Sequence, residues 1–198
     1  MYQGSTIRYH AVRIVTLLMV ILAGLTSSAV SQTKPLEKAQ EEASGTPGLS
    51  VAYDESRYLT FVRLTIDSRE ENEALKKSTR KFEWTLESWF SVKGIDAKPE
   101  RVVLCAATQS KRFLFQNSTE LTLTFGGENI LLGEGQRTSE FKGRARENVC
   151  WEVDKVIVEE FAGASSAGFS AAALKGTFSS ESLAKFRAYA SVLAVGVK

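Results

Sequence analysis

Histidine is nearly absent from this chain of 198 residues; the only one is His10. Cysteine and methionine each occur twice and proline 3 times. Each scarcity excludes something. Two cysteines are too few for a disulfide-dense miniprotein or a four-cysteine zinc site. So little proline, with 14 aperiodic glycines, excludes a collagenous or proline-rich spacer protein. Beyond residue 10 no imidazole is left for a Ser-His-Asp or Cys-His hydrolase, a histidine-ligated metal or a proton shuttle. With 43% hydrophobic and 24% charged residues, the composition is that of one ordinary globular domain.

What is there begins with an export signal. Residues 1–13 carry Arg8, His10 and Arg13 and no acidic side chain, and an uncharged apolar run, Ile14–Leu25, follows. Thr26–Ser31 is then built mainly of small residues, with Ala29 and Ser31 placed for cleavage of the Ser31–Gln32 bond. Cationic, apolar and small-residue segments in that order predict a secretory signal peptide over 1–31. The alternative is an uncleaved anchor, for which Ile14–Val30 is short. No cysteine lies near the junction to take a lipid. The expected location is secreted or periplasmic, with membrane contact only during export unless the signal is uncleaved.

Cleavage removes Arg8 and Arg13 along with His10 and both methionines, leaving Lys+Arg equal to Asp+Glu at 23 each. The formal charge of +2 therefore belongs to the signal. A neutral exported protein is not expected to bind nucleic acid.

Residues 32–48 are polar, hold Pro35 and Pro47, and lack apolar periodicity. They predict a disordered spacer with a transient helical turn around Leu36–Ala43. A single β-rich domain is expected over 49–198. Val62, Leu64 and Ile66 alternate with Arg63 and Thr65; Phe82, Trp84 and Leu86 with Glu83, Thr85 and Glu87; Leu121, Leu123 and Phe125 with Thr122 and Thr124. Period two marks half-buried antiparallel strands. Val102–Ala107, Ile130–Leu132 and Val149–Val153 add further strands, and Arg112–Gln116 is a weaker candidate. Asp154 is placed to cap a short helix ended by Gly163, and a small-residue strand is expected over Gly168–Thr177. Ser179 is placed to cap a final helix, in which Leu183, Phe186, Ala190 and Leu193 fall on one face. The fold class expected is mainly β: an antiparallel sandwich or barrel-like sheet with one or two C-terminal helices.

Cys105 and Cys150 both fall in expected strands, and an exported pair usually forms a disulfide. Cys150 is in phase with Asn148 and Glu152, away from the core. A catalytic thiol has no histidine beside it and no C-x-x-C. Catalytic residues are expected to be absent, as are metal ligands and cofactors. S-x-x-K recurs at Ser78/Lys81, Ser139/Lys142 and Ser182/Lys185, without the motifs that accompany it in Ser-Lys enzymes. The adjacent pairs Glu41-Glu42, Glu70-Glu71 and Glu159-Glu160 point in different directions on any regular element, which makes them solvated faces first. Gly163–Gly168 has neither the P-loop ending nor the G-x-S-x-G spacing. Arg137, Lys142, Arg144 and Arg146 form the densest basic segment and read as a solvated hairpin edge. Asn117-Ser118-Thr119 is an N-glycosylation sequon. Trp89 shares a strand face with Glu83, Thr85 and Glu87, so it is the candidate interaction surface, unless a bulge at Ser88 returns it to the core.

Gly176–Ala190 (GTFSSESLAKFRAYA) resembles the tails of small uncharacterised exported bacterial proteins, which end in a strand and a short helix. That resemblance implies export and no particular activity. The function expected is a non-catalytic binding domain for a protein, glycan or envelope component. A carrier with an apolar pocket under the last helix, and a hydrolase using carboxylates or a Ser-Lys pair, are the alternatives.

Overall fold

A computed structural model describes residues 33–194, and the expected signal peptide lies outside the described residues. The first elements are β1 (Lys34–Pro35), α1 (Leu36–Ser44), β2 (Leu49–Asp54), β3 (Leu59–Asp67), α2 (Glu73–Ser78) and β4 (Thr79–Phe90). There follow β5 (Gly94–Ile95), β6 (Arg101–Ser110), β7 (Glu120–Phe125), β8 (Glu128–Glu134), β9 (Gln136–Phe141) and β10 (Ala145–Glu152). The chain closes with α3 (Lys155–Gly163), β11 (Ala167–Ala171), β12 (Leu174–Phe178) and α4 (Ser180–Leu193).

The alternating segments become two antiparallel sheets. One has six strands in the order β2-β3-β4-β6-β10-β9, and the other four in the order β12-β11-β7-β8; β1 and β5 pair separately. Both sheets keep free edges, so the architecture is a β-rich sandwich with helices and not a closed barrel. The turn from β7 to β8 is Gly126-Gly127, both at positive φ, as a tight hairpin loop requires.

Inward-facing residues of the two sheets meet in an aromatic core. Phe82 stacks on Phe169 at 5.7 Å, and Trp84 meets Phe169 edge-on at 5.0 Å. Phe161 of α3 lies edge-on to Phe178 at 5.2 Å and to Phe186 of α4 at 4.8 Å. Helix α4 covers the inner side of β3, its start capped by Ser179 Oγ, which accepts from Ser182 N. Asp154 caps α3 in the same way through Val156 N. Between the sheets the chain passes from β8 to β9 through Gly135 alone. A Cβ there would stand 2.7 Å from Trp151 and Val149, so only glycine lets the crossing lie against the core.

Three expectations need correction. The spacer expected over 32–48 is ordered from Lys34: Leu36, Ala39 and Ala43 of α1 are buried, making a stripe at helical spacing that packs on β2 and α4. Lys34 Nζ fastens it, donating to Glu42 at 2.7 Å and to the Val192 carbonyl near the end of α4 at 2.8 Å. Two alanines and one leucine are too weak a sequence signal, because the stripe is stabilised by what it packs on rather than by its own hydrophobicity. Arg112–Gln116 is not a strand. Its Leu114 and Phe115 N–H groups donate to the Glu147 carboxylate at 2.6 and 3.1 Å, so a side chain takes the place of a neighbouring strand. Gly168–Thr177 is not one strand but the hairpin β11–β12, turning at Ala172, whose φ is 51°.

Candidate functional site

Among the described residues, the six-stranded sheet buries one face and no helix or second sheet packs on the other. Its outward residues are set by register. Trp89 lies between Phe61 of β3 and Arg101 of β6, and Cys105 stands directly opposite Cys150. Down the middle of this face β6 presents Val103, Cys105 and Ala107, all short, with Glu87 and Glu152 beside Val103 and Glu83 and Asn148 beside Ala107. The result is a shallow trough along β6.

Charges on this face are paired, between neighbouring strands for Arg63 and Arg101 and along β4 for Lys81. Arg63 Nε meets Glu87 at 2.6 Å, Lys81 Nζ meets Glu83 at 2.7 Å, and Arg101 meets Glu152 at 2.7 Å. Trp89 is half-buried, with no bulge at Ser88; that serine points inward instead. The Trp89 indole N–H donates to Glu87, and the Arg101 guanidinium sits 5.5 Å over its ring. At the far end, about 27 Å along β4 at strand rise, the face opens into a concavity of about 620 Å³. Lys81, Ala107, Gln109, Thr138, Arg146 and Asn148 are among the residues that line it.

Cys105 and Cys150 form a disulfide joining β6 to β10, and both are partly exposed on this outer face. The phase of Cys150 with Asn148 and Glu152 made that legible in sequence. Asn148 Nδ2 lies 3.3 Å from Cys150 Sγ. The structure thus puts Trp89 and the disulfide on one surface, a juxtaposition that neither strand pattern reveals alone.

The remaining sequence candidates are held in structural contacts. Lys81 pairs with Glu83, Lys142 with Glu140 at 2.8 Å and Lys185 with Glu181 at 2.8 Å, while the serines of the same S-x-x-K patterns bond elsewhere or not at all. Hydrogen bonding and attraction to Lys142, with Arg146 adding to both, hold the Glu140 carboxyl below its ordinary value. Ser182 Oγ donates to Glu71 Oε1 at 2.8 Å, and Ser179 Oγ to the same atom at 2.7 Å. Glu71 is therefore part of the start of α4, while its neighbour Glu70 pairs with Arg69. Glu42 and Glu159 pair with Lys34 and Lys155. Asn117 of the sequon is exposed. Among the described residues, no group of three or more His, Cys, Asp or Glu is gathered tightly enough to hold a metal ion. The space under α3 and α4 measures about 20 Å³ and is lined by Leu86, Leu104, Phe161 and Phe186. That is room for about one water, far below the ~300 Å³ at which small-molecule pockets begin.

One functional-looking feature was missed in sequence. Glu147 is a carboxylate on the buried side of β10, paired with Arg137 at 2.9 Å. Its signal was present: it shares phase with Val149 and Trp151, and a charged residue at a core position needs partners. Among the described residues, no helix is long and apolar enough to cross a membrane. No protein-family model, curated protein or solved structure matches the chain.

Proposed function

We propose that the protein is exported and serves as a non-catalytic binding domain. It presents the outer face of the six-stranded sheet, around Trp89 and the Cys105–Cys150 bridge, to a protein, glycan or envelope component. The observation that carries this reading is the Trp89 site. A large aromatic ring is kept half-exposed on an uncovered face, and Arg101 and Glu87 fix its orientation. A ring already ordered loses little entropy on binding. The disulfide and the signal-like residues 1–31 support export, as does the likeness of Gly176–Ala190 to the tails of exported bacterial proteins. Among the described residues, the space under α3 and α4 is too small for an apolar ligand and Ser182 is engaged with Glu71 in the start of α4, which leaves the carrier and the hydrolase without support.

The test is capture of partners by the full chain from envelope fractions and culture medium, with Trp89→Ala as comparator. A partner recovered by the parent and lost by the variant is the expected result. Equal recovery by both would overturn the assignment of this face, and retention of the protein in the cytoplasmic fraction would overturn export.

A further inference from the structure

A formal balance of charges hides an uneven distribution. The register places Thr79 opposite Ser110, Ser110 opposite Ala145 and Ala145 opposite Phe141. One end of the six-stranded sheet is therefore formed by the start of β4, the end of β6 and the β9–β10 turn. Lys77, Arg80, Lys111, Arg112 and Arg144 gather there, and none of them forms an ion pair among the described residues. Arg80 is the residue skipped where the register shifts between Thr79 and Lys81, which leaves it exposed at the rim. Lys142 and Arg146 share a single carboxylate, Glu140, so even the paired cations leave a surplus. The densest basic segment of the sequence is 137–146, but the excess here comes from three separate segments.

Among these cations stands an apolar tip. Phe141 is 61% exposed, and its ring lies edge-on to Phe113 at 6.2 Å. Phe113 is in turn braced by Arg137, whose guanidinium lies 5.2 Å from the ring centre. The loop that carries Phe113 is fixed from below by Glu147 through the Leu114 and Phe115 amides.

We propose that this end of the sheet docks on an anionic lipid bilayer. The assignment rests on the exported-binding-domain reading and adds a membrane surface to the partner taken at Trp89. Cations at several chain turns reach a plane together, and each lies within a Debye length of the headgroups once docked. A projecting ring among them, Phe141 backed by Phe113, gains by entering the headgroup–acyl boundary. A polynucleotide channel would instead line its cations along a groove with rings spaced to take successive bases. Docked this way, β4 runs up from the bilayer and carries Trp89 about 27 Å away from it, free for a second partner.

The experiment is co-sedimentation of the full chain with phosphatidylcholine vesicles, with and without about one-third phosphatidylglycerol, over a range of salt. Residues 1–32 are common to every variant, so the difference between variants reads the basic end. The parent is expected to prefer anionic vesicles and to lose that preference as salt rises. Each neutralised cation should weaken binding about fivefold, so Lys111→Gln/Arg112→Gln/Arg144→Gln should lose about a hundredfold. A charge-matched control, Lys98→Gln/Lys175→Gln/Arg187→Gln, should bind like the parent, and Phe141→Ser should weaken binding without changing its salt dependence. Circular dichroism and melting of each variant establish that the fold is kept. Equal losses in the basic-end and control variants would overturn the proposal, as would a parent indifferent to phosphatidylglycerol. Tighter binding to a single-stranded oligonucleotide than to vesicles would also overturn it, in favour of a polynucleotide. Any of these outcomes leaves partner capture through Trp89 as a separate measurement.

Discussion

The hydroxyls of Ser88 and Tyr189 meet at 2.6 Å inside the core, tying α4 to β4 near its C-terminal end across 101 positions of sequence. Both residues are fully buried, so each is the other's means of satisfying a polar group that water cannot reach.

Tyr189→Phe leaves the Ser88 hydroxyl alone and should cost about 1–3 kcal/mol in urea denaturation. Ser88→Ala/Tyr189→Phe should recover part of that loss. The pair also has a pH signature. Burial pushes the Tyr189 phenol well above its ordinary value, against the opposing pull of the Ser88 hydrogen bond. Below about pH 10 the phenol is neutral in both folded and unfolded chains, and its contribution is complete. Above that, the unfolded chain releases a proton that the folded one keeps, so stability falls with rising pH by about 1.4 kcal/mol per unit. Tyr189→Phe should lack this part of the alkaline slope.

Glu147 holds Arg137 and two loop amides with one carboxylate. Glu147→Ala strands a partly buried guanidinium and frees the loop, a loss of about 3–5 kcal/mol for a broken buried pair. Hydrogen exchange at Leu114 and Phe115 should accelerate in the variant well before the sheet amides do. Unchanged protection there would show that the loop is held by something else.

Two glycines should respond in opposite ways to alanine. At Gly135 the new methyl meets the Trp151 ring and Val149, so Gly135→Ala should destabilise by about 1–3 kcal/mol. Gly45 has φ −78° and open space around it, and Gly45→Ala should be neutral or stabilising by up to about 1 kcal/mol. Thermal melts of the two variants make the comparison directly.

The Cys105–Cys150 bridge spans 45 positions, for which the chain-entropy model gives at most about 4 kcal/mol. Cys105→Ser/Cys150→Ser should lower the unfolding free energy by no more than that while keeping the sheet signal. Thiol counting on the native parent should find none free.

Ala39 is fully buried in α1. Ala39→Asp would place a carboxylate against β2 and α4 and should destabilise the whole domain, not only its N-terminus. Were 32–48 a spacer, the substitution would be silent.

Period-two patterns around Val62, Trp84 and Leu123 identified strands because each has one wet and one dry face, and that alternation is a local property of the chain. The caps at Asp154 and Ser179 were legible for the same reason. What stayed hidden depends on distant partners. Helix α1 is stabilised by β2 and α4, the 112–116 segment is shaped by a carboxylate more than thirty positions on, and the β11–β12 turn uses Ala172, whose identity gives no hint of positive φ. The site divides likewise. The facing of Trp89 and Cys150 followed from strand phase, whereas Arg101 over Trp89 and the cations around Phe141 follow only from register.

The strand order carries a consequence in time. After β6 the chain leaves the six-stranded sheet, builds the β7–β8 hairpin of the other, adds β9, and only then lays β10 beside β6. Until that late return, β6 is a raw edge with unpaired backbone groups, and Cys105 is a lone thiol. Closing so long a loop adds little entropy cost beyond a shorter one, but it defers the β6–β10 pairing until ten of the twelve strands exist. Oxidation of Cys105 with Cys150 therefore marks the moment when β9 and β10 join the other four strands, and the rate at which that bond appears is a clock for completion of the six-stranded sheet.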